Sequence, residues 1–309
     1  MRKKIYSKYI SNNSKIKFKP LLIIIAPYQY MAKKKRNSKK PFNPYRLLVY
    51  IILSAIGYFV YQCGSPRLVG DIDKLEIPAT GTGAPGTIIA REGYTLSYNN
   101  ERLIPNWVAY ELTSPETEGD EPRAKHFRTD PQIAGLQADN DDYRNSGWDK
   151  GHMAPAADMK WSEKAMDECF YLSNICPQDH KLNTGVWKSL EEKCREYARY
   201  FGKVYIVCGP IVTNNKYGTI GNNGVIIPDG FFKVLLTTHY DKHIGIGFIF
   251  DNKKGGKKFM EHAVTIDEVE RVTGIDFFHA LPDDVEKQAE STIDKIGRAS
   301  CRERVSLCV

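Results

Sequence analysis

Trp148-Asp149-Lys150-Gly151-His152-Met153-Ala154-Pro155 sets a histidine directly after a glycine, and 31 residues past that histidine comes Leu182-Asn183-Thr184-Gly185-Val186-Trp187-Lys188-Ser189-Leu190-Glu191. Between them runs Phe170-Tyr171-Leu172-Ser173-Asn174-Ile175-Cys176-Pro177-Gln178. The stretch from Tyr143 to Asp158, with Gly147, Gly151 and Pro155, suits a strand end followed by a loop, Gly151 letting the chain turn tightly. Ser162 to Phe170 is helical in pattern, and Phe170 to Asn174 reads as a short apolar strand. From Asn183 the period is clearest: Trp187, Leu190, Cys194, Tyr197 and Phe201 recur at helical spacing, and Gly202 stops the run.

Working outward, strands are predicted at Thr87 to Arg91, Tyr94 to Asn99 and Trp107 to Thr113 on one side of these segments. On the other side they are predicted at Val204 to Pro210, Gly224 to Ile227, Phe231 to His239 and Ile244 to Phe250. Thr265 with Glu268 three residues on resembles a capping box opening a helix through Val272. Helices and strands are interspersed without an internal repeat, so the reading is one mixed α+β domain over residues 99–294, with residues 65–98 as a linker and first strand. At 309 residues, 42% hydrophobic and 26% charged, the chain has a real core and is neither wholly disordered nor a polytopic membrane protein.

The net charge of +7 is misleading as a sum. Residues 1–70 carry 15 Lys and Arg and no acid, which leaves 29 bases against 37 acids from Asp71 onward. The body is therefore mildly acidic, and any groove for a polyanion has to be local. In the basic N-terminal tail, residues 1–46, the first 30 residues read as preceding the native start, since Met31 stands directly before the cluster Lys33-Lys34-Lys35-Arg36. Between Arg46 and Arg67 lie 20 uncharged residues, enough for about 30 Å of helix. We read residues 47–64 as a signal anchor with an outward-facing domain, by the positive-inside rule, or as a cleaved signal peptide that releases a secreted or periplasmic protein. Residues 295–309 abandon the apolar periodicity and read as a disordered or non-native tail. Cys169, Cys176, Cys194 and Cys208 show no metal-type pairing; an outward-facing domain permits a disulfide among them without specifying the pair.

A lone histidine beside an acid is more often a satisfied structural pair, and an asparagine ahead of a helix is more often its N-cap. The three segments, in this order and spacing, change those odds. Together they resemble the DNA/RNA non-specific endonucleases of the ββα-metal, or His-Me finger, type, which include mitochondrial endonuclease G and secreted bacterial nucleases. The resemblance runs from Asn99 to Pro282 and implies a ββα-metal domain with a central antiparallel sheet flanked by helices. It implies His152 as general base, Asn183 as metal ligand, and Asn174 and Glu191 as supporting polar residues. It also implies a phosphate-contacting base in His126-Phe127-Arg128-Thr129-Asp130-Pro131, where Arg128 is favoured slightly over Lys125. The implied cofactor is Mg²⁺, with Mn²⁺ or another divalent cation in its place, and the implied substrates are DNA and RNA, cleaved internally to leave 5′-phosphates. Lys150 departs from the family's DRGH signature, keeping the charge without the planar fork, and Thr184 stands where Gln is common.

The chemistry is coherent on its own terms. Phosphodiester hydrolysis needs an attacking water, a group to take its proton, and positive charge where negative charge builds. A neutral imidazole does the first task near pH 7, and a hard cation needs few protein oxygens. On an ideal helix Asn183 and Glu191 sit about 80° and roughly 12 Å apart, so Glu191 is expected to orient a water around the ion rather than ligate it. Asp179-His180 is a rival base in a polar loop, Trp161 and Trp187 are expected to pack, and Tyr143-Arg144 reads as an exposed pair. Gly218 to Gly224 lacks a phosphate-loop ending and reads as a hairpin connection. Two other readings remain open: a catalytically dead, membrane-tethered nucleic-acid binding module, and a structural envelope protein.

Overall fold

The computed structural model describes residues 74–240, 242–253 and 258–293. The expectations for the N-terminal tail, the 47–64 segment and the tail from residue 295 lie outside the described residues. Among the described residues no helix is long and apolar enough to cross a membrane.

One seven-stranded antiparallel sheet organises the domain, in the order β1-β2-β3-β6-β9-β10-β11. Its strands are β1 (Thr87–Ala90), β2 (Thr95–Asn99), β3 (Ile104–Thr113), β6 (Lys203–Ile211), β9 (Gly230–His239), β10 (Lys242–Asp251) and β11 (Ala263–Val264). Strands β3, β6 and β9 are buried almost throughout, because alternate side chains feed two cores. Val108, Tyr110, Leu112, Ile206, Cys208, Phe231 and Leu235 face one core. Trp107, Ala109, Val207, Phe232, Val234 and Leu236 face the other.

The first core carries the histidine and asparagine segments. Strand β4 (Asp149–His152) pairs antiparallel with β5 (Ile175–Gln178), and the chain after β5 runs into α3 (His180–Leu182), a π-helical turn over Asn183–Trp187, and α4 (Lys188–Phe201). Two strands followed by a helix are thus set against the larger sheet. Also here are α1 (Asn140–Tyr143) and α2 (Glu163–Glu168). Leu190, Cys194, Tyr197 and Ala198 form the buried stripe of α4, and Gly202 ends it at φ 87°, a conformation that costs glycine little. The second core is covered by α5 (Ile266–Thr273) and α6 (Asp283–Glu290), which supply Ile266, Val269 and Ala289.

Several local expectations shift. The strand expected at Phe170 to Asn174 begins at Ile175, and Leu172–Asn174 is a 3-10 turn, because Asn174 uses its backbone and side chain to hold the neighbouring loop. Gly151 is a strand residue rather than a turn; a Cβ there would collide with Gln178 across the β4–β5 pair. Thr265 caps α5 by accepting from the Glu268 amide at 3.1 Å, but the Glu268 carboxylate turns to Arg271, so only half of the capping box forms. The Gly218 to Gly224 connection does join a small hairpin, β7 (Thr219–Ile220) and β8 (Val225–Ile226). All four domain cysteines are buried free thiols.

Candidate active site

Asp149 starts β4 and holds the front of the helix after β5. Its Oδ2 accepts from Asn183 Nδ2 at 2.9 Å and meets His180 Nδ1 at 2.8 Å. A carboxylate can only accept, so the Asn183 NH₂ must face it and the amide oxygen is turned the other way. Asn183 has helical dihedrals (φ −56°, ψ −49°) and is not an N-cap. That role belongs to Asp179, which accepts from the amides of Lys181 and Leu182 at 3.0 and 3.3 Å. His180 is therefore on a helix rather than in a loop, exposed, and engaged by Asp149.

At the other end of β4, His152 is packed between two rings, with centroids 5.2 Å from Phe127 and 5.0 Å from Phe170. Burial, helped by the nearby charge of Arg123, lowers the imidazole pKa to about 3. The ring is consequently neutral at ordinary pH, and its enclosed Nε2 has no hydrogen-bond partner. A buried ring nitrogen is thus left uncommitted, and an anionic phosphate beside it would raise its basicity toward the working range.

Two contacts fix the loop after His152. Asn174, fully buried, accepts from the Ala154 amide and donates to the carbonyls of Ala154 and Cys169, each at 2.9 Å. Its carboxamide is fully used by backbone, so Asn174 positions the histidine strand rather than meeting substrate. Trp187 donates through Nε1 to the His152 carbonyl at a long 3.4 Å. Both ends of β4 thereby touch the same helical turn: Asp149 through Asn183, His152 through Trp187.

Glu191 lies one turn later, on α4. Burial, then the charge of Asp158, raises its pKa to about 7, while Lys233, Arg195 and a hydrogen bond from Trp187 pull it down. The Trp187 indole thus reaches toward both the His152 carbonyl and the Glu191 carboxylate. Gly185 breaks helical geometry between Asn183 and Glu191 (φ −102°, ψ −112°), so spacing on an ideal helix does not describe the pair. Beneath them Lys233 is fully buried, with Nζ 4.5 Å from the centre of the Trp187 ring. Trp187 packs on Phe231 and Phe250, and Trp161 is partly buried against the same core.

The basic groups sort differently from the sequence expectation. Arg128 donates to the Asp167 carbonyl at 2.9 Å, lies 3.5 Å from the Asp167 carboxylate and stacks on Tyr171. Much of its charge is spent on structure. Arg123, which the motifs do not single out, is exposed and stacks on Phe170 at 4.9 Å, on a ring that also contacts His152. Only its place three residues ahead of His126 could have drawn notice. Lys150 donates to Asn140 Oδ1 at 2.7 Å and lies over the rings of Phe127 and Tyr143, on the same side of β4 as His152. Tyr143 is buried, not exposed; Arg144 alone faces solvent, paired with Asp141.

These residues fit a hard divalent cation. Asn183 offers an amide oxygen to the ion and Glu191 a carboxylate to the ion's waters, with no thiol between them, as Mg²⁺ prefers.

The chain as a whole is similar to known proteins. Residues 73–284 match the family model described as DNA/RNA non-specific endonuclease. Nuclease EXOG, mitochondrial, of Danio rerio is 39% identical over 204 residues, 61% of this chain and 60% of that protein. The Homo sapiens protein of the same name is 35% identical over 257 residues, covering 74% of this chain and 68% of that one. The chain thus spans roughly two thirds of these relatives or less. A nuclease of Syncephalastrum racemosum is 30% identical over 284 residues, 84% of this chain and 83% of its own length. Among solved structures, a crystal structure of an EndoG/EndoGI complex superposes with a TM-score of 0.63 at 29% identity, covering 72% of this chain and 95% of that one. A match to the family model over residues 73–284, most of the chain, means that the chain belongs to the DNA/RNA non-specific endonuclease family.

Proposed function

We propose that the chain is a divalent-metal-dependent endonuclease that hydrolyses phosphodiester bonds in DNA and RNA with little sequence preference. The observation that carries this reading is the pairing of Asn183 with Asp149 on the strand that also bears a neutral, uncommitted His152. His152 takes the proton of the attacking water. Arg123, and Arg128 to a lesser degree, draws the phosphate into place beside Phe170. Asn183 offers its oxygen to the cation, and Glu191 accepts hydrogen bonds from water behind it. A bound Mg²⁺ supplies positive charge where the phosphate and leaving oxygen gain negative charge. Contacts of this kind read the backbone and not the bases, which accounts for weak sequence preference and predicts steep salt dependence.

The N-terminal segment, with its basic clusters and 20 uncharged residues, supports a further reading in which the domain is tethered to a membrane and faces outward, or is released by cleavage.

The test is incubation of the purified full chain with closed circular DNA and with RNA, with Mg²⁺ and with chelator. Cleavage of both that stops with chelator and falls at least ~100-fold in His152→Ala is expected. Retention of DNA without product over a range of metals would instead establish a binding module.

A further inference from the structure

On the sheet face opposite the His152 site, Asp267 and Glu270 on α5 and Glu290 at the end of α6 bring one carboxylate oxygen each within 4.8 Å of one another. Three acids at a surface are common and mean little alone. Glu290 is different: it keeps only 6% of its surface, and its Oε1 is buried without a hydrogen-bond partner. It is held there because Ala289 is buried beside it and the backbone of α6 lies tightly against Gly245 of β10. Glu270 is half committed, one oxygen accepting from the Phe277 amide at 2.8 Å and the other left over.

The groups acting most strongly on Glu290 are Glu270, Glu286, Asp267 and Asp276, acids without exception. Glu290 also closes α6, where the exposed carbonyls of a helix C-terminus disfavour an anion. Burial and like charge push its carboxyl up to about 9 and that of Glu270 up to about 7. A buried, unpaired carboxylate is costly, and a cation placed among the three acids would remove that cost.

We propose that Asp267, Glu270 and Glu290 form a second cation site, separate from the active site, that takes a hard divalent ion such as Ca²⁺. Ca²⁺ takes six to eight oxygens at about 2.3–2.6 Å in flexible geometry, whereas Mg²⁺ demands a near-ideal octahedron at about 2.0–2.1 Å, so an irregular set of three carboxylates suits the larger ion. Oxygens that all lie within 4.8 Å of one another can close on one such ion. The ion would clamp α5 to α6 and thereby fix the cover of the second core; its role is structural, and it takes no part in phosphate chemistry.

The experiment is Ca²⁺ titration of the full chain at pH 7.5 by calorimetry, with melting temperature read in parallel. The wild type should take up one more Ca²⁺ than Glu290→Gln and gain about 5 °C or more at 100-fold excess over the dissociation constant. Glu290→Gln should lack that gain while melting no lower than wild type without Ca²⁺, since it replaces a carboxyl that is mostly protonated at this pH with a neutral group of the same shape, and should cleave DNA normally in Mg²⁺. The exposed Asp267→Asn serves as the second variant, with at least ~10-fold weaker uptake expected. Equal stoichiometry and equal thermal gain in wild type and Glu290→Gln overturn the proposal. So does a wild type that takes up no such ion, the acids then being held neutral by protons. Neither result bears on the nuclease reading, whose residues lie on the other face.

Discussion

Replacing Asp149 with alanine should weaken metal binding without unfolding the domain. The side chain is about a third exposed, so truncation leaves no deep cavity. What is lost is the 2.9 Å bond that orients the Asn183 carboxamide. A hydrogen bond to a charged partner contributes about 1.5–3 kcal/mol net, and at 1.4 kcal/mol per decade that is roughly a 10- to 100-fold loss of Mg²⁺ affinity. The same range is typical when the outer partner of a metal ligand is removed. Asp149→Asn can still accept from Asn183 through its amide oxygen, so its loss should be about threefold to tenfold. His180→Ala removes the other donor on that carboxylate and leaves Asn183 held, so less than ~3-fold is expected. Calorimetric Mg²⁺ titration of the full chain and the Mg²⁺ dependence of plasmid cleavage should rank the variants identically. The reasoning fails if Asp149→Ala binds Mg²⁺ within threefold of wild type, or if His180→Ala is equally impaired.

Other outcomes can be checked with the same protein. Asn174→Ala strands one buried amide and two carbonyls, and should cost ~3–5 kcal/mol in denaturant melting; a loss below ~1 kcal/mol contradicts the clamp assigned to it. Arg123→Ala should reduce the salt slope of DNA binding by about one and weaken binding more than Arg128→Ala, as read by anisotropy across a salt series. His152 has a folded pKa below its unfolded one, so the unfolded chain binds the extra proton between about pH 3 and 6.5. Wild-type stability should therefore fall relative to His152→Asn as pH drops through that window; parallel melting curves at pH 6.5 and 4 test the sign. Lys233→Met should lower stability by ~3 kcal/mol, because Glu191 and Asp158 lose a buried countercharge.

The sheet and the long helix were legible because apolar periodicity is a local property that burial enforces. Trp187, Leu190, Cys194 and Tyr197 read as a buried stripe, and they are one. The motif segments pointed to His152 and Asn183 because their spacing was informative. Arg123 escaped notice because its relevance comes from stacking on Phe170, a contact 47 positions away in sequence that no local pattern encodes. Asn174 reads from the sequence as a supporting polar residue, and only the fold reveals that all its hydrogen-bonding capacity goes to backbone. The Asp267, Glu270 and Glu290 group was hidden for the same reason, since α6 carries no strong apolar signature and docks beside α5 only through the second core.

The irregular turn at Gly185 governs how this helix tolerates change. A wide turn holds one residue more than a regular one, so it uncouples the rotational phase of the helical residues before it from that of the residues after it. His180 and Asn183 answer to Asp149, whereas Leu190, Cys194 and Tyr197 answer to the core. Deleting one residue from the turn would restore a continuous α-helix and swing the amide of Asn183 by about 100°, away from its carboxylate, with the hydrophobic stripe left in register. The fold would survive such an edit and the chemistry would not, which makes this short segment the place where the two can drift apart.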